Sequence, residues 1–264
     1  MRAGGTYMSK LVRQELFKLY KKKSTFILFG AVTLIMILIS VVSKTNPDIF
    51  EPESVFTSAY AAYAWIVFIM IIQASTIITM EFQYGTIKNL LYRNYTRSQV
   101  IISKCITLLI YSIGLYVSTS IIAIILKLFM SPNLSFLHKV NENMNLIQTF
   151  LFNALGNFIG LWLLISLVLL LSCIFRNTAV SIVIGIIIYF ATSIVSGIMF
   201  LAIEKWEWLK WNPLNMLNLS GQISSDGEIA SLTRLSIGQL FTGNIIYIII
   251  FLFLVYVVFR KKNI

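Results

Sequence analysis

A chain of 264 residues that is 58% hydrophobic and 12% charged, with a mean hydropathy of +0.85, is too apolar for a water-soluble domain. Average soluble domains are about 45–50% apolar and about 25% charged, and the few charged side chains here could not clothe the remaining apolar surface. The formal net charge of +11 is read as charge held at one membrane face, not as a nucleic-acid footprint, so no nucleic acid is expected as a partner.

The pass along the chain begins at Met8–Lys23. Met8, Leu11, Val12, Leu16, Leu19 and Tyr20 fall close to helical spacing, and Lys10, Arg13, Lys18 and Lys21 take much of the rest of the surface. Residues 1–23 are therefore expected to form a cytoplasmic amphipathic helix in the interface, with apolar residues among the acyl chains and basic residues on anionic lipid. The next stretch, 24–42, is apolar and uncharged. It exceeds the roughly 7–15 residues of a secretory h-region and ends in the poor cleavage sequence Val41-Val42-Ser43-Lys44, so it reads as a span. Further apolar runs cover about 60–80, 101–130, 149–175, 179–203 and 241–259. At about 20 residues per crossing, residues 24–264 make a single six-span transmembrane domain. Helices are expected, because open strands leave backbone groups unpaired in lipid. The fold class is an all-α integral membrane protein.

Lysine and arginine set the orientation. With both termini in the cytoplasm, fifteen basic residues lie inside and six outside, accounting for all 21. The acids divide two inside, Glu15 and Glu81, and eight outside. Trp206, Trp208 and Trp211 follow the fifth run, as interface anchors or as packing for a partner.

The stretch after the second run carries the most information. Glu81 stands where the apolar residues stop. Gly85-Thr86 suits the break of one helix and the capping of another. Ile87, Leu90 and Leu91 give a short helix an apolar face, with Lys88 and Arg93 projecting elsewhere, and Thr96 or Ser98 suits the start of the third span. A short amphipathic helix of this kind docks in the groove of a soluble partner or lies on lipid.

Glu81, Gly85-Thr86-Ile87-Lys88, Leu90-Leu91 and Thr96-Arg97 resemble the cytoplasmic loop of the type-2 ABC exporter permeases. Where that family often has proline before serine-arginine, Asn94-Tyr95-Thr96-Arg97 stands here. The resemblance implies that Glu81, Gly85, Thr86, Lys88, Leu91, Arg93 and Arg97 belong to a loop coupled to an ATP-binding cassette subunit, two of which would serve a pair of permeases. The second permease is another copy or a homologue, and ATP and magnesium sit on the ATPases, with no cofactor on this chain. The resemblance also implies outer re-entrant helices within 206–239, a segment broken by Pro213, Gly221, Gly227 and Gly238.

Other signals are sparse. The sequence has no G-x-x-x-x-G-K-[ST] phosphate loop and no H-E-x-x-H pair, so this chain is not expected to be an enzyme. No acid falls mid-span, which argues against a proton relay, and the single histidine, His138, reads as solvated in an outer loop. Cys105 and Cys173 read as reduced packing residues. Gln73, Thr76, Ser118 and Thr119 are candidates for a polar translocation path or for helix–helix hydrogen bonds, and Gly156-x-x-x-Gly160 permits close packing. The expected function is the permease of an ATP-driven exporter in a bacterial cell membrane. The expected cargo is amphipathic or hydrophobic, such as peptides or antimicrobials. A stand-alone channel or secondary transporter is the alternative.

Overall fold

The computed structural model describes residues 3–85, 95–140, 144–175, 177–225 and 229–261. Its helices are α1 (Ala3–Lys21), α2 (Lys23–Thr45), α3 (Pro52–Thr57), α4 (Ala62–Gln83), α5 (Arg97–Met130), α6 (Leu146–Phe175) and α7 (Thr178–Lys205). A 3-10 turn (Glu207–Trp211) follows, then α8 (Pro213–Met216), α9 (Leu219–Ser224), α10 (Ala230–Thr233) and α11 (Ile237–Lys261). No strand forms among the described residues. The protein is an all-α integral membrane protein. Lys23–Thr45, Pro52–Gln83, Arg97–Met130, Leu146–Phe175 and Ile237–Lys261 are each long and apolar enough to cross a bilayer. Within α7, Thr178–Thr192 and Ile194–Lys205 meet at 54°. Counted as one bent crossing, α7 completes the expected six.

Burial patterns explain the arrangement. Helix α6 is buried on every side from Leu161 to Ser166, as befits a helix surrounded by others. It packs against α3, α4, α7, α9 and α11. Helix α2 buries only Val32, Met36, Ser40 and Ser43, a single stripe, and so lies at the periphery. Helix α5 has 34 residues and is about 51 Å long at 1.5 Å per residue. That exceeds a hydrocarbon core of about 30 Å, so α5 projects beyond it. Thr96 starts α5 with a reciprocal capping box: Gln99 N–H donates to Thr96 Oγ1 at 3.3 Å, and Thr96 N–H to Gln99 Oε1 at 2.9 Å.

Alternating chain direction gathers the helix ends at two poles. At one, Thr178 bonds both Thr79 (2.6 Å) and Gln83 (3.1 Å), Ser98 Oγ meets Tyr256 Oη at 3.0 Å, and Arg97 Nη1 donates to the Arg260 carbonyl at 3.1 Å. The helix ends richest in lysine and arginine meet here, and we call it the basic pole. At the other, Ser224 Oγ meets Asn153 Oδ1 at 3.0 Å and Ser43 Oγ donates to the Phe50 carbonyl at 2.8 Å.

The opposite pole is irregular. Ala59, Tyr60 and Ala61 all have positive φ and turn the chain between α3 and α4, although each such residue costs about 1–2 kcal/mol. Between α7 and α11 the short helices are held by buried amides. Asn215 Nδ2 donates to the carbonyls of Lys210 (2.7 Å) and Thr233 (3.1 Å), Gln222 Nε2 to that of Leu235 (2.9 Å), and Asn244 Nδ2 to that of Met216 (2.7 Å). Met216, Leu219, Leu235, Leu240 and Leu163 form a second apolar core beneath them. Gly243 makes room for Met216, whose sulfur would collide with any Cβ there, and Gly156 makes room for Ile223. Thus Gly156 seats α9, and its sequence partner Gly160 has nothing within 4 Å of where a Cβ would stand.

Candidate functional site

The basic pole is organised by four charges. In α1, Leu11, Glu15 and Leu19 occupy successive turns on one face and all are buried. An acid in an apolar stripe needs a partner, because an isolated buried charge is costly. Lys104, on the second turn of α5 and 1% exposed, supplies it: its Nζ lies 3.1 Å from Glu15 Oε2 and 3.2 Å from Glu81 Oε1. Lys18 closes the set from the solvent side, 2.6 Å from Glu15 and 3.2 Å from Glu81. Among the described residues two carboxylates face two ammonium groups, and the cluster joins α1, α4 and α5. Burial works against the charge on Lys18, but its hydrogen bonds and attraction to Glu15 and Glu81 outweigh that and raise its pKa.

This geometry refines the reading of α1. Ala3–Lys21 is helical, and its buried stripe packs on α5, while Phe17 and Tyr20 remain exposed. Glu81 sits in the last turn of α4 within the ion cluster. Gly85, with φ of 63°, makes the left-handed turn that follows, where glycine is unstrained. Arg97 opens α5. Thr86, Lys88, Leu91 and Arg93 lie outside the described residues.

A cavity of about 350 Å³ opens beside the cluster between α1 and α4. Glu15, Lys18, Lys22 and Glu81 lie toward its charged end with Tyr84 just past Glu81, Leu19, Ile77 and Met80 add apolar surface, and Thr76 and Gln73 lie deeper along α4. Of the proposed polar lining, Gln73 and Thr76 thus share one cavity. Ser118 and Thr119 do not reach it; their hydroxyls donate back to carbonyls of their own helix. The amide of Gln73 has no hydrogen-bond partner at either atom.

The opposite pole holds a more polar cavity of about 520 Å³, lined in part by Glu51, Glu53, His138, Asn153 and Asn157. His138 is half exposed, with Nε2 3.7 Å from Glu53 Oε2. Asn157 and Gly160 also line a third cavity of about 430 Å³ among α4, α6, α7 and α9, beside Tyr63, Tyr189 and Asn218. Among the described residues no three His, Cys, Asp or Glu side chains are grouped to hold a metal ion.

Sequence patterning does not mark Glu15 or Lys104 as site residues. The available signal was positional: Glu15 interrupts a four-residue apolar repeat, and Lys104 falls inside an apolar run. Their pairing is tertiary and no spacing rule reveals it.

Residues 11–192, which include most of α1, the ion cluster and α2 to α6, match the sequence profile described as ABC-2 family transporter protein. The chain belongs to this family. The ABC-2 family member is also similar to two proteins of Bacillus subtilis (strain 168). It is 28% identical over 208 residues to the uncharacterized protein YhcI, covering 74% of this chain and 63% of the relative. It is 34% identical over 140 residues to the uncharacterized membrane protein YdbK, covering 52% of this chain and 54% of the relative. The match therefore spans under two thirds of either relative's length.

Proposed function

We propose that this ABC-2 family protein is the permease subunit of an ATP-driven exporter, worked by a separate ATP-binding subunit. The observation that carries the reading is the family match over residues 11–192. On this reading the basic pole faces the cytoplasm, in keeping with the lysine and arginine bias, both termini are cytoplasmic, and the chain resides in the plasma membrane. Two ATP-binding subunits, holding ATP and magnesium, would act on two permeases, the second a copy or a homologue. The exported molecules would be amphipathic or hydrophobic, peptides or antimicrobials among them. Cavities that combine apolar walls with a few amides and hydroxyls support that class.

The ion cluster suggests how the coupling works. An ATPase pressing on residues 81–97 meets a turn attached to Glu81, which is tied through Lys104 and Lys18 to α5 and α1. The three helices then move as one body, and nucleotide shifts the balance between two arrangements of the bundle.

The test is to solubilise the chain together with the products of neighbouring genes. An ATPase bound near one-to-one is expected, and Arg93→Ala is expected to lower transport-coupled ATP hydrolysis while insertion stays normal. A monodisperse chain without an ATPase, carrying flux alone in liposomes, would overturn the proposal in favour of a channel or secondary transporter.

A further inference from the structure

The cavity between α1 and α4 contains two features that its neighbours leave unmatched. Gln73 is 1% exposed, and both its Nε2 and Oε1 lack a partner. Buried side-chain amides without hydrogen bonds are rare. At the charged end, Lys18 is paired with Glu15 and Glu81, but no ion pair joins Lys22 to a carboxylate among the described residues. Burial already holds the Lys22 ammonium below the ordinary lysine range, a penalty that an incoming anion would relieve.

Gln73 and the charged end of the cavity, marked by Glu81, are separated along α4. Glu81, level with the Lys18 ammonium it touches, is eight residues from Gln73, or about 12 Å at 1.5 Å per residue. An extended peptide covers that distance in about four residues at roughly 3.3 Å each. Between those two levels of α4 stand Ile77 and Met80, with Thr76 beside Gln73, and α1 contributes Leu19 to the same cavity. A primary amide needs a donor and an acceptor opposite it. A peptide group offers both, whereas the ester of a lipid offers only an acceptor.

We propose that this cleft binds the apolar C-terminal end of a peptide, with its carboxylate on Lys22 and a backbone amide paired with Gln73. The proposal rests on the exporter reading and narrows its substrate to peptides presented from the membrane leaflet at the basic pole. Gln73 selects peptide over acyl chain, and Lys22 selects a free C-terminus over a blocked one.

Binding is measurable without an ATPase. The probe is an N-terminally fluorescein-labelled hexapeptide of leucine and phenylalanine, titrated by anisotropy into the full chain purified in detergent. Saturable binding is expected, about tenfold weaker when the C-terminus is amidated. Lys22→Gln should erase that difference. Gln73→Met, which keeps the volume of the side chain, should weaken the free-acid peptide about tenfold and leave the melting temperature unchanged or raised. Oleate, with a carboxylate but no amide, should compete poorly. Equal binding of the acid and the amidated peptide, wild-type binding by both variants, or competition by oleate as effective as by peptide would each overturn the proposal. Such a failure would leave ATPase co-purification untouched. Absence of an ATPase beside intact peptide binding would sink only the exporter reading.

Discussion

Both poles of the bundle bury lysine, and they do so differently. At the basic pole Lys104 lies between two carboxylates contributed by other helices. At the opposite pole Lys127, 2% exposed, has its ammonium 3.8 Å from the centre of the Phe136 ring. The first arrangement fixes three helices relative to one another, because each charge depends on partners from elsewhere in the fold. The second satisfies one side chain locally. The basic pole is thus built as a rigid joint of helices, and the opposite pole as a set of short elements pinned by amides around open cavities.

The largest expected effect breaks this contrast or confirms it. Lys104→Met removes the buried cation that Glu15 and Glu81 share, a loss of about 3–5 kcal/mol for a buried pair stripped of one partner. Lys127→Met should cost about 1–2 kcal/mol, the worth of a desolvated cation over an aromatic face. Thermal melting of both variants in one detergent decides it. Equal shifts would mean that the ion cluster is no more structural than the ring contact.

Gly243→Ala sharpens the account of the opposite pole. The added methyl meets the Met216 side chain, so overpacking of about 1–3 kcal/mol is expected. The expected readout is faster proteolysis within residues 206–239 while the basic pole keeps its melting behaviour. Loosening at the basic pole instead would show that the poles are not independent.

The smallest expected effect is a null one with a defined limit. The Lys18 pKa is raised in the folded protein, above an unfolded value of about 10.4. Its stabilising contribution is fully present below the unfolded value and is lost as pH rises through the raised folded value. Docking of α1, followed by a spin-label distance between α1 and α5, should therefore be flat from neutral pH to about pH 9, well below either value. Undocking within that range would contradict the cluster.

How much of this was legible in the sequence depends on the range of the forces involved. The spans were legible because bilayer thickness imposes a length on any uncharged apolar run, and Thr96 as a start signal for α5 was legible because capping is local. The left-handed turn at Ala59, Tyr60 and Ala61 was not, since alanine and tyrosine carry no turn signature and tertiary packing overrides their preference. The pairing of Glu15 with Lys104 spans 89 positions, and only the docking of α1 on α5 creates it. Gln73 was legible as polar and within a span, but that it would be left unpaired, and in the same cavity as Lys22, follows from the placement of α1.

The central claim is that the basic pole, with the turn between α4 and α5, faces the cytoplasm where an ATPase can reach it. The direct measurement places one cysteine at Lys88 or at His138 in a chain whose Cys105 and Cys173 are replaced by alanine, and applies a membrane-impermeant maleimide to intact cells. The account predicts labelling of His138→Cys in intact cells and of Lys88→Cys only after lysis. Labelling of Lys88→Cys from outside, with His138→Cys protected, would contradict it.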